Sequence, residues 1–300
     1  MKKFDVIIIG AGPAGMTAGL YAVRSGLKTA IISKDIGGTT NSILMLENWP
    51  GFKGSGSQLM KQFYDQLKEY EDANFIMADV EDVRKKAQTF IVKTKKEEIE
   101  AKALIITTGT ERRRLNVEGE KELIGKGVSY CVTCDAFFFK GKTVGVIGGS
   151  DCAAVSALAL ADLCKKVYVI YRGQKLRCED INYERLKETK NVEMIYNAVP
   201  KKIIGEGKVT GIEIEENKKK KVVELDGVFI EIGSVPLSKF SKELGLKLDK
   251  EGYIIVDENM NTSVKGVFAA GDITHQKLKQ VVVASGEGSI AAKSAYDFLK

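Results

Sequence analysis

Hydrophobic and polar positions along the chain form two blocks that share one pattern. The first block begins with the continuous apolar run Val6 to Ile9, which is typical of a buried parallel strand. A glycine-rich turn follows, then a helical stretch from Met16 to Ser25 and a second apolar run from Thr29 to Ile32. The order strand, glycine turn, helix, strand predicts a βαβ unit at the start of the chain.

The turn of this first unit reads Gly10-Ala11-Gly12-Pro13-Ala14-Gly15, a complete G-x-G-x-x-G. In a dinucleotide-binding unit Gly10 permits the tight turn, Gly12 lets the backbone approach a pyrophosphate, and Gly15 lets the helix pack on the strand. The helix start then presents N–H groups and a positive dipole end to the phosphates. The acidic residue expected about 20 residues further on is absent, because Ser33 stands at the strand end, so the ribose contact is unassigned.

The same pattern recurs in the middle of the chain. Val144 to Ile147 predicts a strand, Gly148-Gly149-Ser150-Asp151-Cys152-Ala153 a turn, Val155 to Leu163 a helix, and Val167 to Ile170 the next strand. Two such units in one chain mean two dinucleotide sites, or one site and one relic.

Two later apolar runs end in small residues, as strands of a nucleotide-binding domain do. One ends at Thr107 to Thr110 and the other at Gly271-Asp272, before a final helix predicted from Ser285 to Leu299. The pattern therefore predicts an α/β protein with two Rossmann-like nucleotide-binding domains of the three-layer ββα/α type, the second inserted into the first. The predicted domains are residues 1–111 with 239–300, and residues 112–238.

Length and composition agree with two ordinary globular domains. The chain has 300 residues, of which 44% are hydrophobic and 29% charged. The net charge of +6 includes the run Lys218 to Lys221, which we interpret as a solvated loop and not as a nucleic-acid site. This charge is compatible with an acidic protein partner. No apolar segment approaches the roughly 18 residues of a membrane span, and no signal peptide precedes Val6, so we expect a cytoplasmic protein.

A C-x-x-C lies between the two units, at Cys131-Val132-Thr133-Cys134-Asp135. This spacing occurs in zinc sites and in redox dithiols. A structural zinc ion needs four ligands, yet the other cysteines make no second C-x-x-C and His275 is the only histidine. We therefore expect a redox pair and no metal. Cys152 and Cys164 are interpreted as buried thiols, spacing says little about Cys178, and His275 is assigned a surface role.

With a C-x-x-C-D between two nucleotide folds and a Gly-Asp near the C-terminus, the chain resembles low-molecular-weight thioredoxin reductase over essentially its full length. These enzymes are FAD-containing pyridine nucleotide-disulfide oxidoreductases. Other matching segments are Glu47 to Phe52, Gly125 to Asp135, Gly233 with Pro236, and Gln280.

The resemblance implies a thioredoxin-disulfide reductase in which FAD passes electrons to the Cys131–Cys134 disulfide. Cys134 would lie nearer the flavin, Cys131 would attack the disulfide of thioredoxin or a related redoxin, and Asp135 would act as acid and base. This chemistry is coherent, because the thiolate is the nucleophile in disulfide exchange. The resemblance also implies a homodimer, and a second domain that rotates on connecting strands near residues 112–115 and 236–240.

The FAD contacts that the resemblance implies come from four parts of the chain. They are Gly10, Gly12, Ala14, Gly15, Gly38, Asn48, Thr108, Gly109, Gly271, Asp272 and Gln280. The family Gly-Gly-Gln-Leu reads Gly37-Gly38-Thr39-Thr40 here, which removes one glutamine contact but should not abolish binding. The start of the final helix would face the flavin ring and stabilise its reduced anion.

The second nucleotide site, assigned to Gly148, Gly149, Ser150, Arg172 and Arg177, departs from the family pattern. Ser150 stands where backbone should approach a pyrophosphate, and its Cβ is a mild obstacle. The family His-Arg-Arg-x-x-x-Arg, which grips the 2′-phosphate of NADPH, reads Tyr171 to Arg177 with one arginine lost. Three electron donors stay open: NADPH used weakly, NADH, or another reductant such as ferredoxin or a deazaflavin.

Two other functions compete with this interpretation. A ferredoxin–NADP reductase would share the fold, but that class lacks the C-x-x-C. A flavin-binding redox sensor whose second site is a relic would not be an enzyme.

Overall fold

The computed structural model describes residues 1–43 and 46–300, apart from the side chains of Thr133 and Cys134. Its internal contacts divide the chain into two compact units. Unit 1 comprises Met1–Glu111 and Val235–Lys300, and unit 2 comprises Arg112–Ser234. The assignment of FAD to the first unit, and of the pyridine nucleotide and redox pair to the second, stays a prediction.

From the N-terminus to the point where the chain enters unit 2, strands alternate with two long helices. They are β1 (Lys2–Ile9), α1 (Pro13–Arg24), β2 (Thr29–Ser33), a 3-10 helix (Gly38–Ser42), β3 (Leu46–Trp49), β4 (Phe52–Gly54), α2 (Gly56–Leu67), β5 (Ala73–Met77), β6 (Val80–Lys86), β7 (Thr89–Thr94), β8 (Glu98–Ile106) and β9 (Thr110–Arg112).

Unit 2 repeats the strand and helix alternation and adds an antiparallel meander. Its elements are β10 (Val128–Ser129), α3 (Val132–Asp135), a 3-10 helix (Ala136–Phe139), β11 (Thr143–Gly148), α4 (Asp151–Ala161), β12 (Lys166–Ile170), α5 (Asp180–Glu188), β13 (Val192–Ile195), β14 (Ala198–Ile204), β15 (Gly211–Glu216), β16 (Lys219–Glu224) and β17 (Gly227–Glu231).

The chain then completes unit 1. These last elements are β18 (Ser234–Pro236), α6 (Ser241–Leu244), β19 (Val267–Ala269) and α7 (Val281–Leu299). Strand β18 pairs with β9 in a small sheet of its own. Helix α7 begins earlier than the predicted Ser285, because the apolar residues Val281 to Val283 continue the helix toward its N-terminus.

Unit 1 is built on a seven-stranded sheet with β1 near its centre. The order is β5-β2-β1-β8-β7-β6, with β19 also paired to β8. Strand β1 runs parallel to β2 and to β8, in a register that sets Ile8 beside Ile31 and Ile105. All three side chains are at most 1% exposed, as expected of a parallel sheet covered on both faces.

Unit 2 contains a five-stranded parallel sheet of order β10-β17-β11-β12-β13 and a three-stranded antiparallel sheet of order β14-β15-β16. The parallel sheets of both units confirm the predicted α/β class. Within the described residues, no helix combines the length and apolar character that a membrane crossing requires.

The lysine run is a strand, which corrects the predicted loop. Lys219 to Lys221 begin β16, and the turn at Asn217 and Lys218 has positive φ at both residues, as a two-residue hairpin requires. Lys220 and Lys221 form ion pairs with Glu213 and Glu216 on the neighbouring strand β15. Backbone pairing with β15 forms the strand, and the cross-strand ion pairs offset part of the repulsion between its lysines.

Candidate active site

Two glycines of the first turn are required by the packing of the protein itself. Gly10, after β1, has φ +114°, and a Cβ there would lie 2.3 Å from the carbonyl oxygen of Thr107. A Cβ on Gly15 would lie 1.9 Å from the carbonyl oxygen of Gly10. Any side chain at either position would force backbone apart.

Gly12 differs, because no atom of the described residues excludes a side chain there. Its φ of −79° suits any residue, and the nearest neighbour of an added Cβ, the Gly37 oxygen, is 4.0 Å away. Gly12 is the N-cap of α1, with no side-chain cap, Pro13 at the start of the helix and no acidic residue in the first turn. A bare backbone before the N–H groups of a helix start fits the pyrophosphate of a dinucleotide.

The tertiary structure brings distant predicted FAD residues to this turn. A Cβ on Gly38 would lie 3.8 Å from the Cα of Gly12, so these two glycines are neighbours. Gly271 has φ +80°, and a Cβ there would lie 2.9 Å from the Cβ of Ala14. Three separate parts of unit 1 therefore converge on one end of α1.

The remaining predicted FAD residues form links within unit 1. The side-chain amide of Asn48 donates to Oε1 of Gln280 at 2.9 Å, joining residues 232 positions apart. Gln280 is the N-cap of α7, whose first turn carries no acidic residue. The Thr108 hydroxyl donates to the Leu237 carbonyl at 2.9 Å, and Gly109 follows with φ +65°.

Three charged side chains, of which only Asp272 was predicted, lie around residues 271–274. Burial raises the pKa of Asp272, and the charge of Lys279 opposes this shift. Glu287, on α7, is 7% exposed and accepts a hydrogen bond from the Gly271 N–H at 2.7 Å, and burial likewise raises its pKa. Sequence reasoning missed Glu287 and Lys279, although a glutamate within an apolar helical pattern is a usable signal. Taken together, the turn, the helix starts and this cluster fit FAD.

Cys131 lies two residues after the end of β10 and is half-buried and disulfide-bonded. Its N–H donates to the Ser129 hydroxyl at 3.0 Å, and its carbonyl accepts from the Asp135 N–H at 3.1 Å. The backbone of Cys134 belongs to α3, but its side chain lies outside the described residues. Asp135 is half-buried at the end of the same short helix.

Two aromatic side chains on the next turn are exposed. Phe137 and Phe138 are 72% and 69% exposed, in the 3-10 helix that follows α3. Large apolar side chains that stand side by side in solvent mark a surface suited to a partner protein.

The second glycine turn follows the same backbone path as the first but carries a side chain. Gly148 has φ +155°, and a Cβ there would lie 2.2 Å from the Glu231 carbonyl oxygen. Ser150 is the N-cap of α4 with φ −94° and ψ −179°, close to the −79° and −172° of Gly12. Its Cβ therefore stands where the first turn presents bare backbone.

Tyr171 and Arg177 contact this turn, and Arg172 follows Tyr171 along the chain. The Tyr171 ring packs on Gly149, since an added Cβ there would lie 2.4 Å from the ring. The Arg177 N–H donates to the Gly149 carbonyl at 2.6 Å, so backbone contact brings Arg177 to the turn. The side chains of Arg172 and Arg177 are exposed. The site keeps cationic side chains for a phosphate, with less room at Ser150 than the first turn has at Gly12.

The other cysteines and His275 divide between core and surface. Cys164 is buried, which raises its pKa to about 11, and its thiol donates to the Phe139 carbonyl. Cys152 is exposed on the first turn of α4, so the prediction of a buried thiol there is wrong. Burial also raises the pKa of the half-buried Cys178, and His275 is exposed. Over the described part of the chain, no three His, Cys, Asp or Glu side chains cluster as metal ligands.

Comparison with known proteins gives full-length matches. A family model described as pyridine nucleotide-disulphide oxidoreductase matches residues 4–288. Thioredoxin reductase of Bacillus subtilis is 40% identical, over 100% of this chain and 96% of its own length. The crystal structure of Lactococcus lactis thioredoxin reductase (FR conformation) matches with TM-score 0.96 and 33% identity, and that of T. acidophilum thioredoxin reductase with TM-score 0.94 and 41% identity. Each structural match covers 99% of both chains.

Proposed function

This chain belongs to the pyridine nucleotide-disulphide oxidoreductase family, and on that premise we propose that it reduces thioredoxin disulfide through Cys131 and Cys134. Full-length relatives confirm the predicted class, an FAD-dependent thioredoxin-disulfide reductase with two Rossmann-like domains. The roles of individual residues are the proposal. The observation that carries it is the disulfide-bonded Cys131, held by Ser129 and Asp135 in a chain whose first glycine turn fits FAD.

Unit 1 supplies the FAD site in this proposal. Gly12 and the start of α1 bind the pyrophosphate, while Asp272, Asn48 and Gln280 orient the rest of the cofactor. When bound, FAD supplies two-electron redox chemistry that returns Cys131 and Cys134 to the dithiol. Because burial raises the pKa of Asp272, a hydrogen bond to a cofactor hydroxyl would compensate this carboxylate for lost hydration.

The cysteines carry out two successive exchanges. The Cys131 thiolate attacks one sulfur of the thioredoxin disulfide, forming a mixed disulfide and releasing the other thioredoxin sulfur as a thiolate. Asp135, four residues along on the same short segment, transfers a proton to the leaving thiolate. Cys134 then attacks Cys131, which releases the second thioredoxin thiol and leaves a Cys131–Cys134 disulfide. Two electrons pass from the dithiol to thioredoxin, so the exchange balances.

Unit 2 supplies the pyridine nucleotide site. FAD and NAD(P)H are the cofactors of this enzyme class, and the choice of nucleotide belongs to the proposal. Arg172 and Arg177 are exposed, and the backbone N–H of Arg177 donates to Gly149 in the turn formed by Gly148, Gly149 and Ser150. Two arginines still bind a 2′-phosphate, but with Gly173 in place of a third they bind it less tightly. NADPH used weakly, NADH, and an acidic donor such as ferredoxin are therefore the donors to compare.

The test is an anaerobic titration of the purified FAD-loaded chain. NADPH, NADH and reduced ferredoxin are added separately, and loss of the flavin absorption band identifies the donor. A Cys134→Ser variant should bleach with the same donor but should not reduce thioredoxin, whereas Cys152→Ser serves as the matched control because Cys152 is an exposed thiol elsewhere in unit 2. If dithionite-reduced flavin leaves the wild-type disulfide intact, the proposal fails.

Thioredoxin is the partner that the relatives' names indicate. We further propose that the chain forms a homodimer and acts in the cytoplasm, where thioredoxin is kept reduced. Sedimentation analysis of the FAD-loaded protein tests the first of these, and a monomer at micromolar concentration would contradict it.

A further inference from the structure

A buried carboxylate lies next to the redox segment of unit 2 and belongs to none of the sites above. Glu120, in the turn before β10, is 3% exposed. Its Oε1 accepts hydrogen bonds from the Tyr130 hydroxyl at 2.5 Å and the Leu115 N–H at 2.8 Å. Its Oε2 accepts from the Asn116 N–H at 2.5 Å. Three donors thus converge on one carboxylate, which compensates its lost hydration.

The backbone on one side of Glu120 is shaped to receive an anion. Asn116 has φ +57°, a left-handed conformation, and the successive N–H groups of Leu115 and Asn116 point to the two oxygens of one carboxylate. These residues lie where the chain enters unit 2, shortly after β9. The turn that carries Glu120 is itself anchored, because the Ile203 N–H donates to the Glu118 carbonyl at 2.8 Å.

On its other side Glu120 holds the residue that precedes the redox cysteine. Tyr130 stands between Ser129, which is buried and accepts the Cys131 N–H, and Cys131 itself. Burial raises the pKa of Tyr130, and the bond to Glu120 raises it further, so the phenol stays a hydrogen-bond donor at neutral pH. The hydroxyl, the carboxylate and two backbone N–H groups therefore connect Cys131 to the entry segment of unit 2.

We propose that Glu120 and Tyr130 are positioning residues that fix the backbone at Cys131 and thereby favour the disulfide over the dithiol. The proposal rests on the redox role of Cys131 and Cys134 given above. A disulfide constrains its own loop, whereas the dithiol does not, so external restraint on the backbone costs the dithiol more entropy. Loss of this restraint favours the reduced form and makes the dithiol a weaker reductant of thioredoxin.

The test is Tyr130→Phe, which removes one hydroxyl and keeps the ring, in the full FAD-loaded chain. The Cys131–Cys134 equilibrium is measured against mixtures of reduced and oxidised dithiothreitol. We expect the equilibrium constant for disulfide formation to fall about fivefold, which is a potential about 20 mV less negative. Amide hydrogen exchange should quicken at residues 128–131, while the flavin content and flavin potential stay unchanged.

Tyr168→Phe is the matched control, because Tyr168 is a half-buried tyrosine of unit 2 that lies under the Lys166 ammonium. A Tyr130→Phe equilibrium constant equal to that of wild type, or a shift that Tyr168→Phe reproduces, overturns the inference. Glu120→Gln replaces one accepting oxygen with an NH2 group, which then faces an N–H or O–H donor. This variant should shift the equilibrium constant further than Tyr130→Phe does. The proposed function fails separately, if Cys134→Ser still reduces thioredoxin.

Discussion

Gly12→Ala tests whether Gly12 is required for ligand binding and not, like Gly15, for the fold. Among the residues that the structure describes, no atom comes closer to an added Cβ than the Gly37 oxygen at 4.0 Å, and the backbone conformation of Gly12 suits alanine. The stability of the flavin-free protein should therefore change by no more than about 1 kcal/mol, since alanine caps a helix less well than glycine but restricts the unfolded chain more.

The effect on FAD should be much larger. A methyl group before the N–H groups of α1 displaces the pyrophosphate from them, and each hydrogen bond to a charged group contributes about 1.5–3 kcal/mol. Loss of one or two such bonds weakens binding about 100-fold, or about 2.7 kcal/mol. Flavin affinity is measured by calorimetric titration of the flavin-free protein, and stability by urea unfolding.

Gly15→Ala is the contrasting variant. Its Cβ would lie 1.9 Å from the carbonyl oxygen of Gly10, so backbone must move and stability should fall by about 3 kcal/mol or more without any flavin present. A Gly12→Ala protein that binds FAD as tightly as wild type would refute the assignment of the pyrophosphate to this turn. A large loss of stability in flavin-free Gly12→Ala would refute the claim that the fold tolerates a side chain there.

Three further changes test other parts of the molecule. Ser150→Gly gives the second turn a bare backbone like that at Gly12. The affinity for the preferred pyridine nucleotide should therefore rise several-fold, as measured by fluorescence titration. An unchanged affinity would show that the Ser150 side chain is no obstacle. Phe137→Ala removes a solvent-exposed ring beside the redox segment. The KM for thioredoxin should therefore rise about tenfold, or about 1.4 kcal/mol, while the rate of flavin reduction stays the same. An unchanged KM would exclude this surface as the docking site. Burial raises the pKa of Glu231 above its ordinary 4.5, against the opposing charge of Arg112, so the folded protein holds this proton to higher pH than the unfolded chain does. Wild type should therefore lose stability relative to Glu231→Gln as pH rises above about 4.5. Urea unfolding of both proteins at several pH values checks this, and free energies of unfolding that change in parallel with pH would contradict it.

Prediction from sequence succeeded where the signal is local. Both glycine turns lie between strand and helix as predicted, because a buried parallel strand, a tight turn and a helix each leave their pattern within a few residues. It was wrong for the lysine run of β16, whose strand conformation depends on backbone pairing with β15. It was also wrong for Cys152, since an apolar pattern identifies a helix but does not decide which face of its first turn is covered.

The sequence by itself determined the family, the α/β class, the two nucleotide-binding patterns and the C-x-x-C, because these depend on neighbours along the chain. Only the tertiary structure decided which glycines the fold requires. A Cβ at Gly10 would collide with the Thr107 carbonyl, whereas a Cβ at Gly12 has room, and no local pattern distinguishes the two glycines. It also decided that the Glu120 carboxylate meets Tyr130, since such contacts exist only after distant segments have packed and lost the water that would otherwise satisfy their polar groups.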